Sequence, residues 1–233
     1  DWIIKTKRLN AYDMSVETFK KYYLKIKKFN PDLIIGYTSI LSRMAKYIDE
    51  RNLEIGNKSN LRCVVVTSEI VTDYGIKIIE KVFRVPCVIE YGMAETGVIA
   101  YSKHNPKNIK MFWDTFIGLK DKDSTLNITT INKRLFPLIN YRTDDLISTK
   151  DKNSILTFEN ILGRKNEVVE IKVKNKLFRL SGILMIHALQ AYKGIYEVQF
   201  KQLKDKKVEI YFKANKKLDL NQLSSYFVKN IQE

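Results

Sequence analysis

Two continuous β-branched runs, "LRCVVVTSE" (61–69) and "VPCVIEY" (85–91), flank a helical pattern, "TDYGIKIIEKVF" (72–83). A strand without polar alternation is buried on both faces, and such strands belong to parallel sheets covered by helices. Strand, helix and strand in that order predict a parallel α/β sheet, not a sandwich. Upstream, Val16, Phe19, Tyr23 and Ile26 recur at helical spacing behind Ser15, a good N-cap, and "NPD" at 30–32 stops that helix. After a short apolar step, "LIIGY", a second helix is predicted from near Thr38, with Ile40, Leu41, Met44, Ala45 and Ile48 on one face. Ligands of parallel sheets sit beyond the carboxyl ends of the strands. Two segments fall there: Thr67-Ser68-Glu69, and "EYGMAETG" (90–97).

From about Thr96 to Leu162 the helical period disappears. Short strand-like runs separated by turn residues predict a β-rich part, a distorted barrel or meander. After "LGRKNE" (162–167) the pattern changes again. A hairpin turning near Lys174-Asn175, a helix "SGILMIHALQAY", two strands and a last helix from about Leu220 read as a compact α+β unit. The division is expected at 163–167, between residues 1–162 and residues 168–233.

The formal net charge is +15, from 41 Lys and Arg against 26 Asp and Glu. The lysines are scattered over every segment without an Arg-rich block, so the charge does not point to nucleic acid. A small phosphate-bearing ligand would be comfortable in this field. Cys63 and Cys87 lie inside apolar runs and read as buried free thiols of a cytoplasmic protein. His104 and His187 are far apart, which gives a zinc site little support. No apolar run approaches the roughly 18 to 20 residues of a membrane helix, and no signal-peptide pattern is present. The opening "DWIIKTKRLN" lacks an initiator Met and reads as if cut from something longer.

Three short motifs stand in order: "YGMAETG" (91–97), "FPLINYRTDDL" (136–146) and "ILGRKNE" (161–167). Each residue in them has an ordinary structural explanation. Glu95 reads equally as a solvated loop acid, Tyr91 as a core aromatic, Asp145 as a turn acid and Arg164 as a surface cation. The ordered set resembles the adenylate-forming (AMP-forming acyl ligase) superfamily, whose patterns are YGxTE, YRTGDL and GRxD. Within it the chain is similar to the phenylacetate–CoA ligase-like branch, which includes capsular-polysaccharide biosynthesis proteins. "TTINKRLFPLINYRTDDL" resembles that branch's "TTLTKEAFPLIRYRTGDL", "YKGIYEVQFKQ" its "GLPGIREFQIVQ", and "FNPDLIIGYTS" its "rPdvlrGYpS" turn.

The resemblance implies a fold: the latter part of a large adenylation domain over 1–162, a hinge at 163–167 and an incomplete, mobile C-terminal domain over 168–233. It implies a reaction in which ATP activates a small carboxylic acid to an acyl-adenylate, pyrophosphate leaves, and a thiol such as coenzyme A, or an amine, accepts the acyl group. ATP or AMP and Mg²⁺ are the implied cofactors, and surface polysaccharide synthesis is the implied setting. Glu95 would be the catalytic Mg²⁺ ligand, since a hard cation takes carboxylate oxygen. Tyr91 would stack on adenine beside Gly92, and Ser68 and Glu69 would flank the base. Asp145 would accept from both ribose hydroxyls, offering two oxygens to a vicinal diol. Arg164 would meet ribose and phosphate as a permanently charged planar donor, and Asn166 would be the hinge residue.

The chain departs from the pattern in three places. Ala94 replaces a hydroxyl residue, Asp144 replaces the Gly of YRTGDL, and Asn166 replaces the hinge Asp. The phosphate-gripping Ser/Thr/Gly-rich loop and the catalytic lysine have no match, and Lys229 lacks the lysine's context. Much of the electrostatic stabilisation of the transition state is then missing, so the chain alone is expected to be poorly active. The alternative is a non-catalytic nucleotide- or partner-binding remnant of the same family.

Overall fold

The structure, a computed structural model, describes residues 5–55, 59–103, 108–151, 154–173, 176–190, 192, 194–204, 207–214 and 217–230. His104 and the predicted turn at Lys174-Asn175 lie outside the described residues, as do the side chains of Asn166, His187 and Lys229.

Helix α1 (Val16–Phe29) starts where Ser15 Oγ accepts from the Thr18 amide at 3.2 Å and ends at Asn30 in a left-handed conformation. The apolar step after it is strand β1 (Leu33–Tyr37), which pairs in parallel with β2 (Cys63–Thr67). β2 pairs in parallel with β3 (Cys87–Met93). Helices α2 (Thr38–Glu50) and α3 (Asp73–Phe83) make the two crossovers. Right-handed connections between successive parallel neighbours place both helices on one side of the sheet, and there they pack against each other. Thr72 caps α3 by accepting from the Gly75 amide at 3.0 Å.

The sheet then turns antiparallel. β4 (Gly97–Ser102), β5 (Ile109–Met111) and β10 (Thr157–Phe158) extend it, giving the order β1-β2-β3-β4-β5-β10. A second, five-stranded sheet has the order β11-β8-β7-β6-β9. Its strands are β6 (Phe116–Lys120), β7 (Thr125–Thr130), β8 (Tyr141–Ser148), β9 (Ser154–Ile155) and β11 (Asn160–Arg164). The expected β-rich part is thus two sheets rather than one meander, because its first strands add to the parallel sheet. Helices and sheets close over one core that runs from Phe19 to Phe158.

A 3₁₀ turn (Lys165–Glu167) leads into hairpin β12 (Val168–Val173) and β13 (Lys176–Ser181), helix α4 (Gly182–Gln190), hairpin β14 (Ile195–Gln202) and β15 (Val208–Ala214), and helix α5 (Leu220–Asn230). Ile171, Met185, Leu189, Ile195, Leu223 and Phe227 form a second core there. The Lys46 ammonium on α2 donates to the Tyr192 carbonyl at 3.2 Å, linking the two parts.

Side-chain alternation gives β1–β3 two unlike faces. Gly36 faces α2, with the Leu41 side chain 3.3 Å from where its Cβ would be, and Val64, Val66, Cys87, Ile89 and Tyr91 lie buried on the same side. Leu33 and Ile35 point the other way and are exposed, Ile35 by 57%. No helix among the described residues is long and apolar enough to cross a membrane.

Candidate functional site

The stretch "EYGMAETG" is the β3–β4 hairpin, with Ala94, Glu95 and Thr96 as its turn. Gly92 is required by close approach. A Cβ there would fall on the Gly97 carbonyl oxygen and lie 2.9 Å from Val98 Cα. Gly97 supplies the positive φ of 74° that lets the chain reverse. Thr96 is buried under the turn, its hydroxyl donating to the Gly97 carbonyl at 2.9 Å.

Two bulges bring the other motifs to this hairpin. β7 and β8 pair at Thr125–Leu146 and again at Asn127–Arg142, so Thr143, Asp144 and Asp145 bulge opposite Leu126. Such bulges re-aim side chains. Here the Thr143 hydroxyl donates to the Leu126 carbonyl at 2.8 Å and accepts from the Asp145 amide at 3.1 Å. Asp144 adopts φ 59°, the left-handed conformation that suits the glycine of the family pattern. Its carboxylate accepts from Arg142 Nε at 2.9 Å instead of pointing freely into solvent. On β11 a register shift between Ile161 and Gly163 sets Arg164 opposite Asp145.

Three of the predicted site residues therefore meet. The Tyr91 hydroxyl donates to Asp145 Oδ2 at 2.7 Å, and Arg164 Nε lies 3.8 Å from Asp145 Oδ1. The Tyr91 ring is 6% exposed and stands edge-on to Phe158, centroids 5.6 Å apart. The Asp145 side chain is 15% exposed, and that of Arg164 67%. Burial raises the Asp145 pKa, against the opposing pull of the Tyr91 hydrogen bond and the Arg164 guanidinium. Burial, then the Asp145 charge, pushes the Tyr91 phenol well up, so it stays a donor.

Glu95 projects from the turn, exposed, with the Tyr141 hydroxyl 3.4 Å from its Oε1. The Glu95 charge raises the Tyr141 pKa. Among the described residues no three His, Cys, Asp or Glu side chains gather as a metal cage. A single open carboxylate fits Mg²⁺ shared with phosphate oxygens and water, which is how this ion is usually held. Arg134 braces the turn, donating to the carbonyls of Glu95 and Thr96 at 2.8 and 2.7 Å.

Ser68 has φ 66° at the end of β2. The Glu69 carboxylate is engaged elsewhere. It accepts from the Ser39 amide at 2.6 Å and the Ser39 hydroxyl at 3.0 Å, at the start of α2. Tyr37, the N-cap of α2, offers no side-chain cap, so Glu69 satisfies an end that would otherwise be open. Asn166 lies in the 3₁₀ turn, beside Lys165, whose ammonium is bonded to the Asp123 carboxylate.

Arg134, Tyr141 and the Lys165–Asp123 pair escape sequence reading. Tyr141 sits inside the "YRTDDL" motif and was available there. Arg134 and Asp123 carry no local signal, since their partners are 39 and 42 residues away.

No protein-family model matches the chain. Protein CapK of Staphylococcus aureus is 23% identical over 224 residues, which are 92% of this chain and 49% of that protein. Among solved structures, 2-hydroxyisobutyryl-CoA ligase in the postadenylation state, in complex with R3-HIB-AMP, superposes with a TM-score of 0.69 at 14% identity, over 92% of this chain and 51% of that one. o-Succinylbenzoate CoA synthetase from Bacillus subtilis, in complex with its acyl-adenylate intermediate, gives 0.63 at 14% identity, over 91% and 47%. The chain spans about half the length of the proteins it matches. Its fold is the one these solved CoA ligase structures share over that half of their length.

Proposed function

We propose that this chain forms the nucleotide-holding part of an AMP-forming ligase that activates a carboxylic acid with ATP and passes the acyl group to a thiol such as coenzyme A. The observation that supports it is the Tyr91–Asp145–Arg164 constellation, drawn together by two bulges from three separate motifs. In this reading Asp145 accepts from the ribose hydroxyls and Tyr91 fixes its orientation. Arg164 meets the ribose and α-phosphate. Tyr91 and Gly92 lie under the base, and the Ser68-Glu69 backbone borders it while the Glu69 side chain anchors that loop to α2. Glu95 would hold Mg²⁺, which would supply positive charge to neutralise phosphate oxygens. Residues 163–167 act as the hinge between residues 1–162 and the C-terminal unit, with Asn166 at the pivot. The resemblance of its motifs to the branch that includes capsular-polysaccharide proteins supports a role in surface polysaccharide synthesis, and two free cysteines suit the cytoplasm.

The test is ATP–pyrophosphate exchange in the intact protein, screened across carboxylic acids. An active acid is expected, and Glu95→Gln should lower exchange by about 10²–10³-fold, the usual scale for losing one electrostatic contact to the transition state. Exchange that persists unchanged in Glu95→Gln overturns the metal role. A complete lack of exchange and of ATP binding leaves the reading without support and favours the non-catalytic remnant.

A further inference from the structure

Glu90 and Tyr91 are neighbours on β3, so their side chains leave opposite faces of the sheet. Tyr91 enters the core and reaches Asp145. Glu90 emerges half-buried on the opposite face, at the carboxyl end of the parallel strands. There it gathers a polar group from each neighbouring strand. The Thr67 hydroxyl at the end of β2 donates to Glu90 Oε1 at 3.0 Å. The Tyr101 hydroxyl on β4, directly across in the register, donates to Oε2. On the same face the exposed Lys110 of β5 follows Tyr101 in the register. Ile35 and Val65 line the same face, and Tyr101 stands edge-on to Phe112 with centroids 5.8 Å apart.

A half-buried carboxylate is costly unless its lone pairs are used. Two donors fill about half of the roughly four acceptor positions of a carboxylate. Neither donor is a cation, so the negative charge itself is unmatched by any described hydrogen-bonding partner. Burial, then the hydrogen bond to Glu90 and the Glu90 charge, raise the Tyr101 phenol to about 12, which keeps it a donor. Thr67 also immediately precedes Ser68, and Glu90 immediately precedes Tyr91. The polar node therefore adjoins the nucleotide-holding residues but opens on the other side of the strand.

We propose that Thr67, Glu90 and Tyr101 form the floor of the acid-binding pocket, and that the acid carries a hydrogen-bond donor, an amino or hydroxyl substituent, which Glu90 accepts. This rests on the nucleotide reading above and deepens it by naming the substrate class. Glu90 is the specificity-determining residue. Thr67 and Tyr101 position its two oxygens and leave the outward lone pairs to the substrate.

The experiment compares acids matched in skeleton and differing only in one substituent: amino, hydroxyl or hydrogen. Pyrophosphate exchange is read in the intact wild type, Glu90→Gln and Glu90→Leu, with thermal unfolding as a check on folding. Wild type should favour a donor-bearing acid over its hydrogen analogue by about 10- to 100-fold in kcat/KM, as one hydrogen bond to a charged group allows. Glu90→Leu should bring that ratio near one while retaining exchange with the hydrogen analogue. Glu90→Gln, which keeps an acceptor for Thr67 and Tyr101 but loses the charge, should weaken the amino acid arm more than the hydroxyl arm. The inference falls if wild type prefers the hydrogen analogue, or if both variants lower all three acids by the same factor, as a purely structural carboxylate would. If both variants unfold, the wild-type preference alone decides. Failure of every acid in wild type would instead defeat the nucleotide reading itself.

Discussion

Asp145 shows how a functional carboxylate is held against its own stability. It is largely buried, and burial outweighs the Tyr91 hydrogen bond and the Arg164 charge, so its pKa lies above the ordinary 3.8. A raised carboxylate pKa means that the folded state binds the proton more readily than the unfolded state. The associated stabilisation is complete below 3.8 and is lost as the pH rises through the folded value. At neutral pH the ionised carboxylate is therefore a net cost to folding. Asp145→Asn keeps an acceptor for the Tyr91 hydroxyl and removes the charge. It is expected to melt at a higher temperature than wild type at pH 7, with the difference vanishing below pH 3.8. The same variant should bind AMP about 10- to 100-fold more weakly, because the proposed charge-assisted contact to the ribose would be lost. Calorimetry of unfolding and of nucleotide binding measures both effects. A variant that melts lower at pH 7 shows that the ionised form is supported better than its burial implies.

At the scale of elements, the β3–β4 hairpin is the piece on which the site depends, and Gly92 is its tightest point. Gly92→Ala would drive a methyl group into the Gly97 backbone, which cannot move without opening the hairpin. Overpacking of this kind costs about 1–3 kcal/mol and sometimes more. Gly36→Ala is the control. Its new Cβ meets only the Leu41 side chain at 3.3 Å, which can rotate. Denaturant unfolding should show a clearly larger loss for Gly92→Ala, and equal losses would mean the hairpin is looser than its register implies. The same elements show what was legible in the sequence. Helices α1, α2 and α3 and strands β2 and β3 follow from periodicity and caps, because those signals are local. β1 passed for a mere apolar step, since five residues at an exposed sheet edge carry no distinctive pattern. The stretch 90–97 read as a loop beyond the strand ends, whereas β3 runs on to Met93 and turns straight back into β4. Tyr91, Asp145 and Arg164 were legible only as parts of motifs. Their meeting depends on two bulges, and no pattern of hydrophobic and polar residues announces a bulge. Glu69 read only as part of the loop flanking the base, because the partner of its side chain, Ser39, lies 30 residues away.

Across the whole molecule, two cores are joined by a short 3₁₀ turn, and the Lys165 contact on that turn is electrostatic. Lys165 reaches back to Asp123 between β6 and β7, and Arg142 lies 3.6 Å from the same carboxylate. The pair is exposed, so it holds position rather than contributing much to stability. Hydrogen bonding and attraction from Lys165, with Arg142 helping, lower the Asp123 pKa. By the linkage sign, a depressed carboxylate favours the tied state above 3.8, and the tie weakens as the pH falls through the lowered value. Added salt weakens it too, since the Debye length shrinks from about 8 Å at physiological strength to about 3 Å at 1 M. Lys165→Ala should therefore raise amide exchange a few-fold in β12, just beyond the turn, at neutral pH. Exchange at Val64 and Val66, deep in the first core, should not change, because the tie touches nothing there. Salt at 1 M should reproduce the effect in wild type and add little in the variant. If β12 exchanges alike in both proteins at low and high salt, the turn is held by its backbone and the second core, and the Lys165–Asp123 contact is incidental.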